Sequence, residues 1–140
     1  MVRARITYAA PKHRAPITDD QVELFCRLID DLARLAPSDA LPGSTSPEYE
    51  RFMLGAYACG FVCSDLSADI DILRKAERAG WVERAKFKDI RLYLHTLTRA
   101  EKQSQKLASD HTRPVADALR SGVLVRVASR LRSEQSWRGL

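Results

Sequence analysis

The spacing of apolar residues changes at Gly80, and this change constrains the fold of the 140-residue chain more than any other feature. Before Gly80, apolar residues recur every three or four positions, which is the spacing of one face of an amphipathic helix. After it, residues 90–95 (Ile-Arg-Leu-Tyr-Leu-His) alternate, which is typical of a half-buried strand. The pattern therefore predicts helices first and a short antiparallel sheet afterwards.

Capping signals predict where the first two helices begin. Thr18 with Gln21 three residues later matches a capping box, in which each side chain bonds the backbone amide of the other residue. Ser46 followed by Pro47 is a second helix start, because proline at the first helical position lacks only an N–H that has no helical partner there.

The third predicted helix begins at Ser64-Asp65 and ends at Gly80, since glycine readily takes the left-handed conformation that follows a helix. Residues 81–97 then form the predicted β-hairpin, with the charged pair Lys88-Asp89 at its tip. The predicted fold class is thus mainly α with a small β-hairpin, arranged as a winged helix-turn-helix with additional terminal helices.

The rest of the chain flanks this unit. Thr98 with Glu101 is a second capping box, so we expect C-terminal helices over residues 98–135. Residues 1–16 carry four basic and no acidic residues and form a predicted N-terminal arm. At this length, one domain over residues 17–140 is expected.

Positive charge is concentrated in three parts of a chain whose net charge is +5. These are residues 1–16, 81–102 and 103–140. Such patches suit a polyanion such as nucleic acid, although a well-solvated, arginine-rich surface gives the same composition. Lys86, Lys88 and Arg91 lie near the predicted hairpin tip, where no apolar core requires them.

Three short segments resemble the MarR-type winged-helix regulators. They are Ala79–Arg84 (Ala-Gly-Trp-Val-Glu-Arg), Lys88–Arg91 (Lys-Asp-Ile-Arg) and Leu97–Glu101 (Leu-Thr-Arg-Ala-Glu). They are similar to the end of the recognition helix, the wing and the following helix of that family, over residues 64–107. The resemblance implies a transcriptional regulator that binds double-stranded DNA as a homodimer and responds to a small-molecule effector.

The resemblance also implies two sets of DNA-contacting residues. The groove-facing side of the third helix would consist of Ser64, Ser67, Arg74 and Lys75. The phosphate contacts and the wing would come from Arg84, Lys86, Lys88 and Arg91.

Three acidic residues on the predicted recognition helix favour an alternative. Asp65, Asp69 and Asp71 would repel phosphates, so the same scaffold could instead be a protein-interaction module, an antagonist or adaptor from a mobile element. A third hypothesis is a ligand-binding helical domain with a pocket between the hairpin and the terminal helices.

No catalytic motif stands out, and we expect neither an enzyme nor a bound cofactor. Cys26, Cys59 and Cys63 are an odd number of cysteines without the spacing of a zinc site, and we interpret them as buried free thiols in a reducing compartment. Without a long apolar run or a secretory signal, the chain is expected to be cytoplasmic and not membrane-bound.

Overall fold

The structure is a computed structural model that describes residues 17–34, 46–63, 66–106 and 113–133, with only the backbone at 105 and 106. Within these ranges seven helices follow one another, and none of the described residues lies in a strand. The helices are α1 (Asp19–Ala33), α2 (Pro47–Ala58), α3 (Asp71–Lys75), α4 (Trp81–Arg84), α5 (Phe87–Lys106), α6 (Pro114–Arg120) and α7 (Val123–Ser133).

The first two helices begin where the capping signals predict. The Thr18 hydroxyl accepts a hydrogen bond from the Gln21 amide at 3.1 Å, and the Thr18 amide donates to the Gln21 side chain at 2.8 Å. The Ser46 hydroxyl accepts from the amide of Tyr49 at 3.1 Å, with Pro47 in the first turn. Both helix starts are therefore confirmed. The predicted N-terminal arm, residues 1–16, lies outside the described residues.

The core forms where α1 packs against α2 on one side and α7 on the other. Phe25 of α1 lies at its centre, with ring centroids 5.4 Å from Phe52 and 4.7 Å from Phe61. In both α1 and α7, apolar residues three or four positions apart form one buried face, as expected of amphipathic helices. The buried stripe residues are Val22, Phe25, Ile29 and Leu32 of α1 and Leu124, Val127, Ala128 and Leu131 of α7. Burial of each large apolar side chain stabilises the fold by about 1.5–3 kcal/mol.

The prediction of a β-hairpin wing over residues 81–97, and with it the winged helix-turn-helix, is wrong. Trp81–Arg84 and Phe87–Lys106 are helices. Ile90, Leu94 and Leu97 are buried. Their spacing of four and three residues matches one face of a helix, whereas the alternation over residues 90–95 alone also matches a strand. Residues 98–106 accordingly continue α5, so that no new helix begins at residue 98.

The alternation is misleading because the polar side chains within residues 90–95 are buried too. The guanidinium of Arg91 donates to the carbonyl of Gly60, from Nε at 3.0 Å and from Nη2 at 2.8 Å. His95 Nδ1 accepts from the Cys63 amide at 3.0 Å. These side chains satisfy backbone groups of residues 59–63, a connection without the internal hydrogen bonds of a helix or a sheet.

The third helix is shorter than predicted. It spans Asp71–Lys75, residues 66–70 are not helical, and the proposed start at Ser64-Asp65 lies outside the described residues. Two side-chain bonds explain this: the amide of Asp69 donates to the hydroxyl of Thr96 on α5 at 3.0 Å, and Asp69 Oδ1 accepts from the nearby Asp71 amide at 3.2 Å. Such bonds compete with helical ones.

Arginines of α7 tie this helix to α1 and α4. Arg132 lies 3.0 Å from carboxylate oxygens of both Glu23 and Asp30, and its hydrogen bonds lower the pKa of the Glu23 carboxyl. Arg126 forms two 3.0 Å hydrogen bonds with Glu83 of α4. Each pair is partly exposed and therefore orients the helices more than it stabilises them.

The three cysteines are free and buried, as predicted. In the described ranges, no group of three or more His, Cys, Asp or Glu side chains could hold a metal ion. Among the helices described, none combines the length and the apolar character that a membrane crossing requires.

Candidate functional site

Exposed cations are concentrated between the end of α3 and the first turn of α5. We define the basic surface as Lys75, Arg78, Arg84, Lys86 and Lys88. All five are exposed, and none lies within 4 Å of a carboxylate belonging to the described residues. Arg74, one residue before this set, differs because its Nη2 lies 3.8 Å from Asp71.

A series of tight turns keeps the basic surface compact. The amide of Arg78 donates to the carbonyl of Lys75 at 3.0 Å, and that of Trp81 to Arg78 at 3.1 Å. At Gly80 the backbone takes a left-handed φ of +79°, which joins this turn directly to α4. The Arg84 guanidinium lies against Gly80 in the space that a side chain would need. The five cations consequently occupy one short, folded segment of fourteen residues.

Nearby acidic residues neutralise this surface only in part. Glu83 is paired with Arg126 of α7, and this hydrogen bond lowers the pKa of the Glu83 carboxyl. Lys86 and Lys88 flank the N-terminus of α5, where the helix dipole is already positive. Cations at that end destabilise a helix slightly, so helix stability does not account for their placement.

Four of the predicted site residues meet on this surface, namely Lys75, Arg84, Lys86 and Lys88. Two others are exposed but lie before this segment: Arg74 is paired with Asp71, and Ser67 belongs to the non-helical stretch before α3. Ser64 lies outside the described residues.

Arg91 is not part of this surface. Its side chain is 5 % exposed, and its guanidinium is held on the Gly60 carbonyl inside the molecule. The prediction that Arg91 projects from a wing depended on the hairpin, and the helical course of α5 turns it inward instead.

The sequence does not predict Arg78 as a site residue, because apolar spacing continues the third helix through residues 76–79, where the structure has a turn. The feature of the sequence that could have indicated an exposed cation here is Gly80, which ends the turn, with Arg78 two positions before it.

The acidic residues of this region have local roles. Asp69 Oδ1 accepts from the Asp71 amide and Asp69 is not itself on a helix, while Asp65 lies outside the described residues. The continuous acidic helix face on which the protein-interaction hypothesis rested is therefore absent from residues 66–75.

No protein-family model, no curated protein and no solved structure matches this chain. The functional assignment accordingly rests on the geometry of the chain itself.

Proposed function

We propose that the protein binds duplex DNA through phosphate contacts made by the basic surface. The observation that carries this proposal is the set of five exposed cations, without carboxylate partners among the described residues, on one compact segment. Lysine and arginine side chains bind DNA chiefly by replacing the counterions of the phosphates. Neither a wing nor a catalytic group is needed for that chemistry.

The unfavourable position of Lys86 and Lys88 supports the proposal. A lysine near a helix N-terminus lowers helix stability by about 0.3–1 kcal/mol at low ionic strength. A bound phosphate reverses the sign of this interaction, because an anion is stabilised by the same helix end and by the two lysines. Replacing these lysines should thus leave the fold as stable as before, or slightly more stable, while weakening DNA binding.

Two variants with equal net charge test the proposal. The first replaces Arg78, Arg84, Lys86 and Lys88 by Gln. The second replaces by Gln four arginines away from this surface, namely Arg27 of α1, Arg34 directly after α1, Arg51 of α2 and Arg120 of α6. Fluorescence anisotropy of a short labelled duplex at low salt gives the affinity of each. We expect the first variant to lose about tenfold or more and the second to lose much less. Equal losses would mean that net charge alone, and not this surface, attracts the DNA.

A role in transcription regulation, a homodimeric state and a cytoplasmic location complete the proposal. Light scattering of the free protein and of its DNA complex tests the homodimer. A monomer mass in both would exclude it without affecting the phosphate contacts.

A further inference from the structure

A cleft of about 290 Å³ lies among α3, α5, α6 and the first turn of α7, close to the lower size limit of small-molecule sites. Its walls are mainly apolar and include Leu73 of α3, Leu97 of α5 and Val123 of α7. The sequence had suggested a pocket between residues 81–97 and the terminal helices. The cleft occupies that position, although α5 stands where the hairpin was expected.

A buried phenol forms part of the wall. Tyr93 is only 2 % exposed, yet its hydroxyl forms no hydrogen bond with any described residue. The hydroxyl oxygen is not fully enclosed, so a molecule in the cleft that Tyr93 lines can form a hydrogen bond with it. Glu77 lines the same cleft as Tyr93. Burial first, and the charge of Glu77 second, raise the pKa of Tyr93, which keeps the phenol neutral.

The charges at the rim favour a cationic ligand. Three ionisable side chains other than Tyr93 line the cleft: Arg74, Glu77 and Asp117. Arg74 lies 3.8 Å from Asp71, and Asp117 lies 2.8 Å from Arg120, so each has an opposite charge beside it. Glu77 has no such neighbour among the described residues. Of the charged side chains that line the cleft, the one without an ion-pair partner among the described residues is therefore the negative Glu77.

We infer that the cleft binds a small organic ammonium ion with an apolar body, of the arylalkylamine class. The ammonium group would donate hydrogen bonds to the Glu77 carboxylate and to the Tyr93 oxygen. The aryl group would lie against Leu73, Leu97 and Val123 and lose its contact with water there. None of the five residues of the basic surface lines the cleft, so ligand binding there can be tested without DNA.

Three probes of nearly equal shape test the inference: phenethylamine, 2-phenylethanol and phenylacetate, which are cationic, neutral and anionic. Titrations followed by backbone amide NMR in the absence of DNA give both the affinity and the location of each. We expect phenethylamine to bind most tightly and to shift the amides that line the cleft. Equal binding of 2-phenylethanol, tighter binding of phenylacetate, or no saturable shift at these amides would each overturn the inference.

Three variants separate the two polar contacts from general effects. Glu77→Gln should weaken phenethylamine about fivefold and leave 2-phenylethanol unchanged, since it removes only the charge. Tyr93→Phe should weaken phenethylamine about tenfold, because a hydrogen bond to a charged group is lost. Glu50→Gln, an exposed carboxylate on α2, is the matched control and should change nothing. A loss in the control as large as in Glu77→Gln would contradict the assignment.

Discussion

Replacing Tyr49 by Phe tests how a buried carboxylate holds three helices together. Glu101 of α5 is 2 % exposed. One of its oxygens accepts from the hydroxyl of Tyr49 on α2, and the other accepts from the amide of Val115 on α6 at 3.0 Å. Tyr49→Phe removes a single oxygen atom and leaves the packing of the ring unchanged. The substitution thus isolates the hydrogen bond.

The expected cost follows from the charge and burial of the acceptor. A hydrogen bond to a charged group contributes about 1.5–3 kcal/mol, and its loss leaves a buried carboxylate oxygen without this donor. In a chain of this size such a loss lowers the melting temperature by roughly 3–12 °C. Urea unfolding followed by circular dichroism measures the free energy of unfolding directly, and an unchanged m-value would show that the change lies in stability alone.

The chain offers a matched control on the same helix. Tyr57 is half-buried, and its hydroxyl has no hydrogen bond to a described residue; Lys102 Nζ lies 4.8 Å above its ring, a contact that Phe retains. Tyr57→Phe should therefore cost less than about 0.5 kcal/mol. Combining Tyr49→Phe with Glu101→Gln gives the coupling energy of the pair. Equal costs for the two tyrosine substitutions, or additive effects in the cycle, would refute the reasoning.

Two further predictions concern buried side chains. Arg91→Met removes both hydrogen bonds to the Gly60 carbonyl. In urea unfolding it should destabilise the fold by about 1–3 kcal/mol, while the DNA affinity stays unchanged. Weaker DNA binding at unchanged stability would contradict the buried role of Arg91. Burial raises the pKa of the Cys26 thiol to about 12 from an ordinary value of 9.0. As the pH rises above 9, the unfolded chain therefore loses this proton before the folded protein does. The free energy of unfolding should fall by up to about 1.4 kcal/mol per pH unit in this range. Cys26→Ala should remove that part of the decline, and parallel stability curves for wild type and variant would contradict it.

Helical periodicity and capping predicted the parts of the fold in which local and tertiary preferences agree. The capping box at Thr18 and the apolar spacing through Leu32 describe α1 as it folds, because the face that is apolar in sequence is also the face that is buried. Ser46 and Pro47 do the same for α2. Such elements depend little on the rest of the chain.

Residues 90–95 could not be assigned in this way. Alternation indicates a strand only if its polar positions face water, and here Arg91 and His95 face a backbone connection about thirty residues earlier in the chain. Whether the polar side chains of residues 90–95 face water or protein is decided by the tertiary fold and not by the local sequence. For the same reason, the sequence predicts correctly that Lys86 and Lys88 are exposed, whereas its prediction that Arg91 is exposed is wrong.

The most direct test of the central claim is the salt dependence of DNA binding. For duplex DNA, the slope of log affinity against log salt concentration is about −0.9 for each phosphate neutralised. If Arg78, Arg84, Lys86 and Lys88 each contact one phosphate, replacing all four by Gln should reduce the size of this slope by about 3.6. A slope that stays the same in the substituted protein would contradict the assignment of DNA binding to this surface.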